Sequence, residues 1–308
     1  MTDQSLANHV TAILQCLSDK LQVGKQLYLA LDNSHRVLSD DELLLDEAAK
    51  LKGFVVPLKY RSLNPVMRPH WLPLTGENSE YLLPSIEQAL QEASPDLIAE
   101  GCGRRVAGWL EISGDAKQAA LHISGQMIRS SPLGGKHLLR LHDPAVLWAL
   151  WPLLNHEQQK YLLGPVASWS LIAPNGQLMA LQIKPDTGNN KGTPEIWGRL
   201  LWQDIALIAP FNQALLAYLA QNADLQIAQL DHLHELGFAA IKRARLLGFS
   251  DDADLALFAQ HAFTIHPFFD RHSLLQKCLA ARQADSYYGG LVADLSDSDW
   301  QNIAASTV

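Results

Sequence analysis

His142 and Asp143 are adjacent, two residues after Arg140, in the stretch LLRLHDPAVL at 138–147. A His-Asp dipeptide is used by one type of metal-dependent phosphohydrolase, in which imidazole and carboxylate share a cation with His and Asp side chains from neighbouring helices. The surroundings oppose that chemistry. The pair lies where a strand-like run turns into a helix, and Pro144 suits the first helical position, which leaves Asp143 as N-cap. A carboxylate accepting backbone N–H groups is worth ~1 kcal/mol to its helix and is poorly placed to bind metal as well. Arg140 shares a strand face with His142 and brings a cation where a dication would sit. The expectation is architectural. Asp143 caps, Pro144 starts the helix, and Arg140 is held by a nearby acid, with Asp143 itself one candidate, or by a row of carbonyls. His142 is expected to be a bystander.

Other groups able to do chemistry are scattered. His232 and His234 are two apart on a helix and His261 and His266 five apart, so neither pair shares a face, and there is no HExxH. LGGKH (133–137) lacks the earlier Gly and the following Ser or Thr of a phosphate loop, and EGCGRR (100–105) precedes a strand, the reverse of a dinucleotide fingerprint. No serine lies in GxSxG. Cys102 sits between glycines with no local His partner and reads as a turn residue. The expectation is no catalytic set, no metal and no cofactor.

The chain has 308 residues, 48% of them hydrophobic and 18% charged, with a formal net charge of −8. Residues 1–184 hold 16 basic and 18 acidic side chains, and 185–308 hold 8 and 14, so the acidity is concentrated in the last third. Binding nucleic acid needs clustered Lys and Arg, so nucleic acid is not an expected partner. Three cysteines without a CxxC fit a reducing compartment. The N-terminus lacks the basic start of a signal peptide, and no apolar run is long enough to span a bilayer, so the expected location is cytoplasmic with no membrane partner.

The elements that would position these residues fall into two groups. Leu6, Val10, Ile13, Leu14, Leu17 and Leu21 form a helical stripe over 4–21, which Gly24 can stop. Strand-like runs follow at 26–32, 54–58, around HWLPL and at 104–112, separated by helices from a capping box at Ser39 and Glu42, from Pro84 and over 115–129. Asn155 with Gln158 caps a further helix, and two alternating runs flank Pro174-Asn175-Gly176 as a hairpin. After KPDTGNNKGTPE (184–195), everything reads as helix, with Ser250 expected to cap one of them. The expected architecture is therefore an N-terminal helix (1–24), an α/β or α+β domain with a mixed sheet (25–184), a linker (185–194) and an all-α domain (195–308). Trp148, Trp151, Trp169, Trp197 and Trp202 enrich the middle of the chain, mostly as core, with a minority able to anchor a partner.

Several segments, in order, carry a resemblance. LYLALDNS (27–34), GRRVAGWLEIS (103–113), LLRLHDPAVL and LWPLLNHEQQKYLLGPVASW (150–169) resemble successive motifs of the type VI secretion effector adaptors, also called chaperones, and ARLLGFSDDADLALFAQHAF (244–263) is similar to their variable helical portion. The likeness covers about half the chain well. It departs at His142, where the family has an aromatic residue, and at Ala145, where it often has Arg. The resemblance implies a non-enzymatic cytoplasmic adaptor that binds a particular toxic effector and promotes its loading onto a VgrG-type spike. It marks Trp109, Arg140, Asp143, Pro144, Gly164 and Pro165 as motif positions, and Arg140, Arg104 and Arg105 as candidates for partner contact. The first domain would hold the family-shared contact and the acidic helical domain would choose the effector. Two other readings stand beside it: a metal-dependent hydrolase using His142 and Asp143, and an immunity protein that neutralises a toxin from the same locus.

Overall fold

A computed structural model describes residues 3–22, 26–33, 45, 48–50, 52–58, 68–99, 103–132, 134–183, 197–222, 225–283 and 286–306. The capping box at Ser39, the stop at Gly24, Cys102 and the linker at 185–194 lie outside them. The described chain forms two compact units, Met1–Trp202 and Gln203–Val308, a division that falls beyond the expected start of the second domain at 195.

The first unit opens with α1 (Asp3–Gln22) and β1 (Gln26–Leu31), followed by β2 (Phe54–Val55) and β3 (His70–Pro73). Then come α2 (Leu82–Glu92), α3 (Pro95–Ala99), β4 (Val106–Ile112) and α4 (Ala116–Met127), whose N-cap Asp115 accepts from Lys117 N. A two-stranded ribbon, β5 (Ile128–Ser130) with β6 (Lys136–Leu138), leads to α5 (Pro144–Leu150) and α6 (His156–Leu163). At α6 the Asn155–Gln158 capping box is formed in both directions. The hairpin β7 (Val166–Ile172) and β8 (Leu178–Gln182) completes the main sheet, whose order is β2-β3-β1-β4-β7-β8. Every pair in it is antiparallel, so the fold is α+β, mixed in strand order rather than in direction.

Period-two alternation builds the core. Leu27, Leu29 and Leu31 of β1, Leu72 of β3 and Trp109 of β4 join Ile13 and Leu17 of α1 with Leu82, Ile86 and Ala89 of α2 in one buried cluster. Trp109 is buried with its indole N–H donating to Ser85 Oγ at 3.0 Å. β4 approaches β7 so closely at Gly108 that a Cβ there would stand 2.2 Å from Ser170 O, and its φ is +119°. That residue must be glycine. The Trp169 indole spans the same join, donating to Ala107 O at 3.0 Å.

The second unit is helical: α7 (Arg199–Ile205) runs into it, followed by α8 (Ile208–Leu219), α9 (Ile227–Leu246), α10 (Asp252–Thr264), α11 (Ser273–Ala280), α12 (Tyr288–Val292) and α13 (Asp297–Ala304). Phe211, Phe238, Phe258, Phe269 and Tyr288 fill its centre. α10 is capped by Asp251, which accepts from Ala253 N and Asp254 N, one residue later than the expected Ser250.

Candidate functional site

The motif segments meet at one end of the main sheet. β1 ends in a run of buried residues, and the next residue, Asp32, is fully buried (0% exposed). Its backbone N–H donates to Arg105 O at 2.7 Å, which ties it to the start of β4. The stretch before α5 alternates. Leu139 and Leu141 are buried, while Arg140 and His142 turn to Asp32. Arg140 Nη2 lies 3.4 Å from Asp32 Oδ2, and His142 Nε2 lies 3.2 Å from the same oxygen. A carboxylate only accepts, so the Nε2 proton points at it. The acid that holds Arg140 is thus Asp32 rather than Asp143, and His142 is a member of the cluster, which corrects its expected bystander role.

Asp143 does a separate task. Its Oδ1 accepts from Ala145 N at 3.0 Å, with Pro144 in the first turn of α5. His142 and Asp143 therefore address different partners and do not converge as a pair of ligands. Among the described residues, no group of three or more His, Cys, Asp and Glu side chains is placed to hold a metal ion.

Behind Asp32 lies a second buried acid, Glu92 at the end of α2. Its Oε2 accepts from Arg105 N at 2.8 Å and Val106 N at 2.9 Å, and its Oε1 accepts from Gln88 Nε2 at 2.7 Å. Glu92 thereby caps the beginning of β4. Arg104 donates from Nη1 to Ile172 O, 3.4 Å away at the end of β7. Burial pushes the Arg104 guanidinium below the usual arginine range, while Asp143 and Glu92 act in the opposite direction. Asp32, Glu92 and Asp143 thus share a small volume with Arg104, Arg105 and Arg140.

Burial separates the candidate contact residues. Arg104 is 9% and Arg105 2% exposed, so the expectation that they present their guanidinium groups to a partner is corrected: both belong to the interior. The Arg140 side chain is 42% exposed and reaches solvent from the same cluster.

The remaining motif positions position the frame. Gly164 closes α6 at φ +54°, its N–H donating to Lys160 O, and a Cβ there would stand 2.4 Å from His122 Nε2. Pro165 O accepts from Ser113 N at 3.2 Å just past β4. Four histidines of the second unit also have structural partners, while His232 is exposed on α9. His234 stacks on Phe238 with centroids 4.6 Å apart, and His272 caps α11 by accepting from Leu274 N. His266 Nδ1 accepts from Phe268 N, and His261 Nδ1 is 2.6 Å from Tyr288 Oη.

Sequence reasoning missed Asp32 and Glu92, the acids that organise the site. Their signals are slight: an acid directly after the apolar run LYLAL, and a Gln88–Glu92 spacing that puts both on one helix face. No family model, curated protein or solved structure matches this chain.

Proposed function

We propose that this chain is a non-enzymatic adaptor of type VI secretion, which binds a toxic effector in the cytoplasm and promotes its loading onto a VgrG-type spike. One observation carries the reading. The three motifs of the resemblance, LYLALDNS, GRRVAGWLEIS and LLRLHDPAVL, supply Asp32, Arg104 with Arg105, and Arg140 with His142 and Asp143 to a single cluster. Residues 27–34 and 138–147 are far apart in sequence, so their likeness to one family and their meeting in space support each other. No described helix is long and apolar enough to cross a membrane, which is consistent with this setting.

In this reading the cluster is the frame of the family-shared domain and Arg140 is its solvent-facing contact. The acidic helical unit contributes effector choice. The full-length chain should co-purify with a toxin and a spike protein encoded beside its gene. An Arg140→Ala variant should keep the wild-type circular dichroism and lose one of the two partners. Toxin delivery should require the chain while the producer survives without it. Failure to bind either protein, or death of the producer on deletion, would overturn the proposal, the latter in favour of an immunity protein.

A further inference from the structure

The two edges of the main sheet are unlike. β2, at one edge, is two residues long, which is a protected end. β8, at the other, is five residues long and reads LMALQ, without a charge or a proline. Edge strands that stay unpaired usually carry such guards. Among the described residues, no strand pairs with the outer side of β8.

The hairpin fixes which of its backbone groups are free. Ala173 N donates to Gln177 O at 2.8 Å, so these opposed residues form a hydrogen-bonded pair. The register continues as Ile172↔Leu178, Leu171↔Met179, Ser170↔Ala180, Trp169↔Leu181 and Ser168↔Gln182. Hydrogen-bonded and open pairs alternate along an antiparallel ladder. Met179 and Leu181 therefore turn their N–H and C=O groups to β7. Leu178, Ala180 and Gln182 turn theirs outward.

We infer that β8 is a homodimer interface, pairing antiparallel with β8 of a second copy about a two-fold axis at Ala180. The outward set is symmetric about that residue. Ala180 meets its own copy, Leu178 meets Gln182 of the partner subunit, and about six ladder hydrogen bonds form. Ala180 is exposed and small, so nothing bulky stands at the axis. On the opposite face Leu181 is already buried within its own subunit, so half-buried Met179 is the side chain left there to gain cover from the added strand. A chain of net charge −8 repels its copies, and an uncharged strand is where that repulsion is least at contact. Two six-stranded sheets would join edge to edge.

Sedimentation of the full-length chain over a wide concentration range tests this, and a reversible monomer–dimer equilibrium is expected. In Ala180→Pro the lost N–H is one that faces away from β7, so the hairpin keeps its bonds while dimerisation weakens about tenfold or more. Ala180→Lys and Ala180→Glu place like charges opposite each other, so each alone should be monomeric and an equimolar mixture should dimerise. A wild-type chain that remains monomeric throughout would overturn the inference. So would a dimer that A180P and A180K leave intact, or a mixture of A180K and A180E that stays monomeric.

Discussion

Asp32 is the residue on which the candidate site depends, because two cationic or proton-donating groups face one of its oxygens while it is fully removed from water. Removing one member of a buried ion pair leaves the others uncompensated, at about 3–5 kcal/mol. Asp32→Ala should therefore lose about that much in urea unfolding. Arg140→Ala should lose only ~1 kcal/mol, since its side chain is 42% exposed and water can take over part of its role. Equal losses for the two variants would show that the cluster is not organised around Asp32. His261 gives a pH-dependent counterpart in the second unit. Burial pushes its imidazole down to about 4, against the Tyr288 hydroxyl and the rings of Phe269 and Trp300. The unfolded chain thus binds a proton that the folded chain excludes between pH 6.5 and about 4, and stability falls as pH falls through that window. Between pH 7 and 5 the loss is on the order of 1–2 kcal/mol from this group. In His261→Gln that part of the acid dependence should vanish. An NMR titration showing an ordinary histidine midpoint would contradict it.

At the scale of elements, glycines at the joins test how tightly strands and helices meet. Gly108→Ala has two obstacles, a φ of +119° and a backbone oxygen 2.2 Å from the new Cβ. Neither β4 nor β7 can yield without breaking their ladder, so a loss above about 3 kcal/mol or failure to fold is expected. Gly164→Ala also has a positive φ, +54°, against it, but the nearest atoms to its new Cβ belong to the ring of His122, which can swing aside at the expense of its bond to Tyr161 O, so a smaller loss of about 2 kcal/mol is expected. A thermal melt of both variants ranks them, and the reverse order would refute the close approach of β4 to β7. These joins also show what was legible in the sequence. α1, β1, β4, α6 and the β7–β8 hairpin carry their own periodicity, caps or turn residues, and each stands where those signals put it. The β5–β6 ribbon is three residues a side and takes its form from packing, leaving no period to read. The candidate site was half legible for the same reason. Asp143 and Pro144 act within their own helix, whereas Arg140 and His142 act on Asp32, which is 108 residues from Arg140 and has no local pattern linking it to either.

At the scale of the whole molecule, the glycine-rich composition at 184–195 suggested a boundary, but composition marks where the chain need not pack rather than where packing resumes. Packing resumes within the first unit. Trp197 and Trp202 are buried, Arg129 stacks over the Trp197 ring with 3.8 Å from Cζ to centroid, and His137 lies 5.3 Å from the Trp202 ring. Arg129 also reaches Gln126 Oε1 and the face of Tyr161, and burial pushes its guanidinium down to about 10. Residues 197–202 therefore close over the β5–β6 ribbon, which supplies Arg129 and His137. Removing the Trp197 side chain should cost about 3–5 kcal/mol of the first unit's stability by lost burial and stacking. Arg129→Lys keeps the charge but loses the planar stack, and should cost ~1 kcal/mol. Amide exchange in the intact chain locates the effect: Trp197→Ala should speed exchange in β5 and β6 and leave α9 and α10 as protected as in the wild type. Unchanged protection of β5 and β6 would move Trp197 out of the first unit, and the boundary back toward 195 with it.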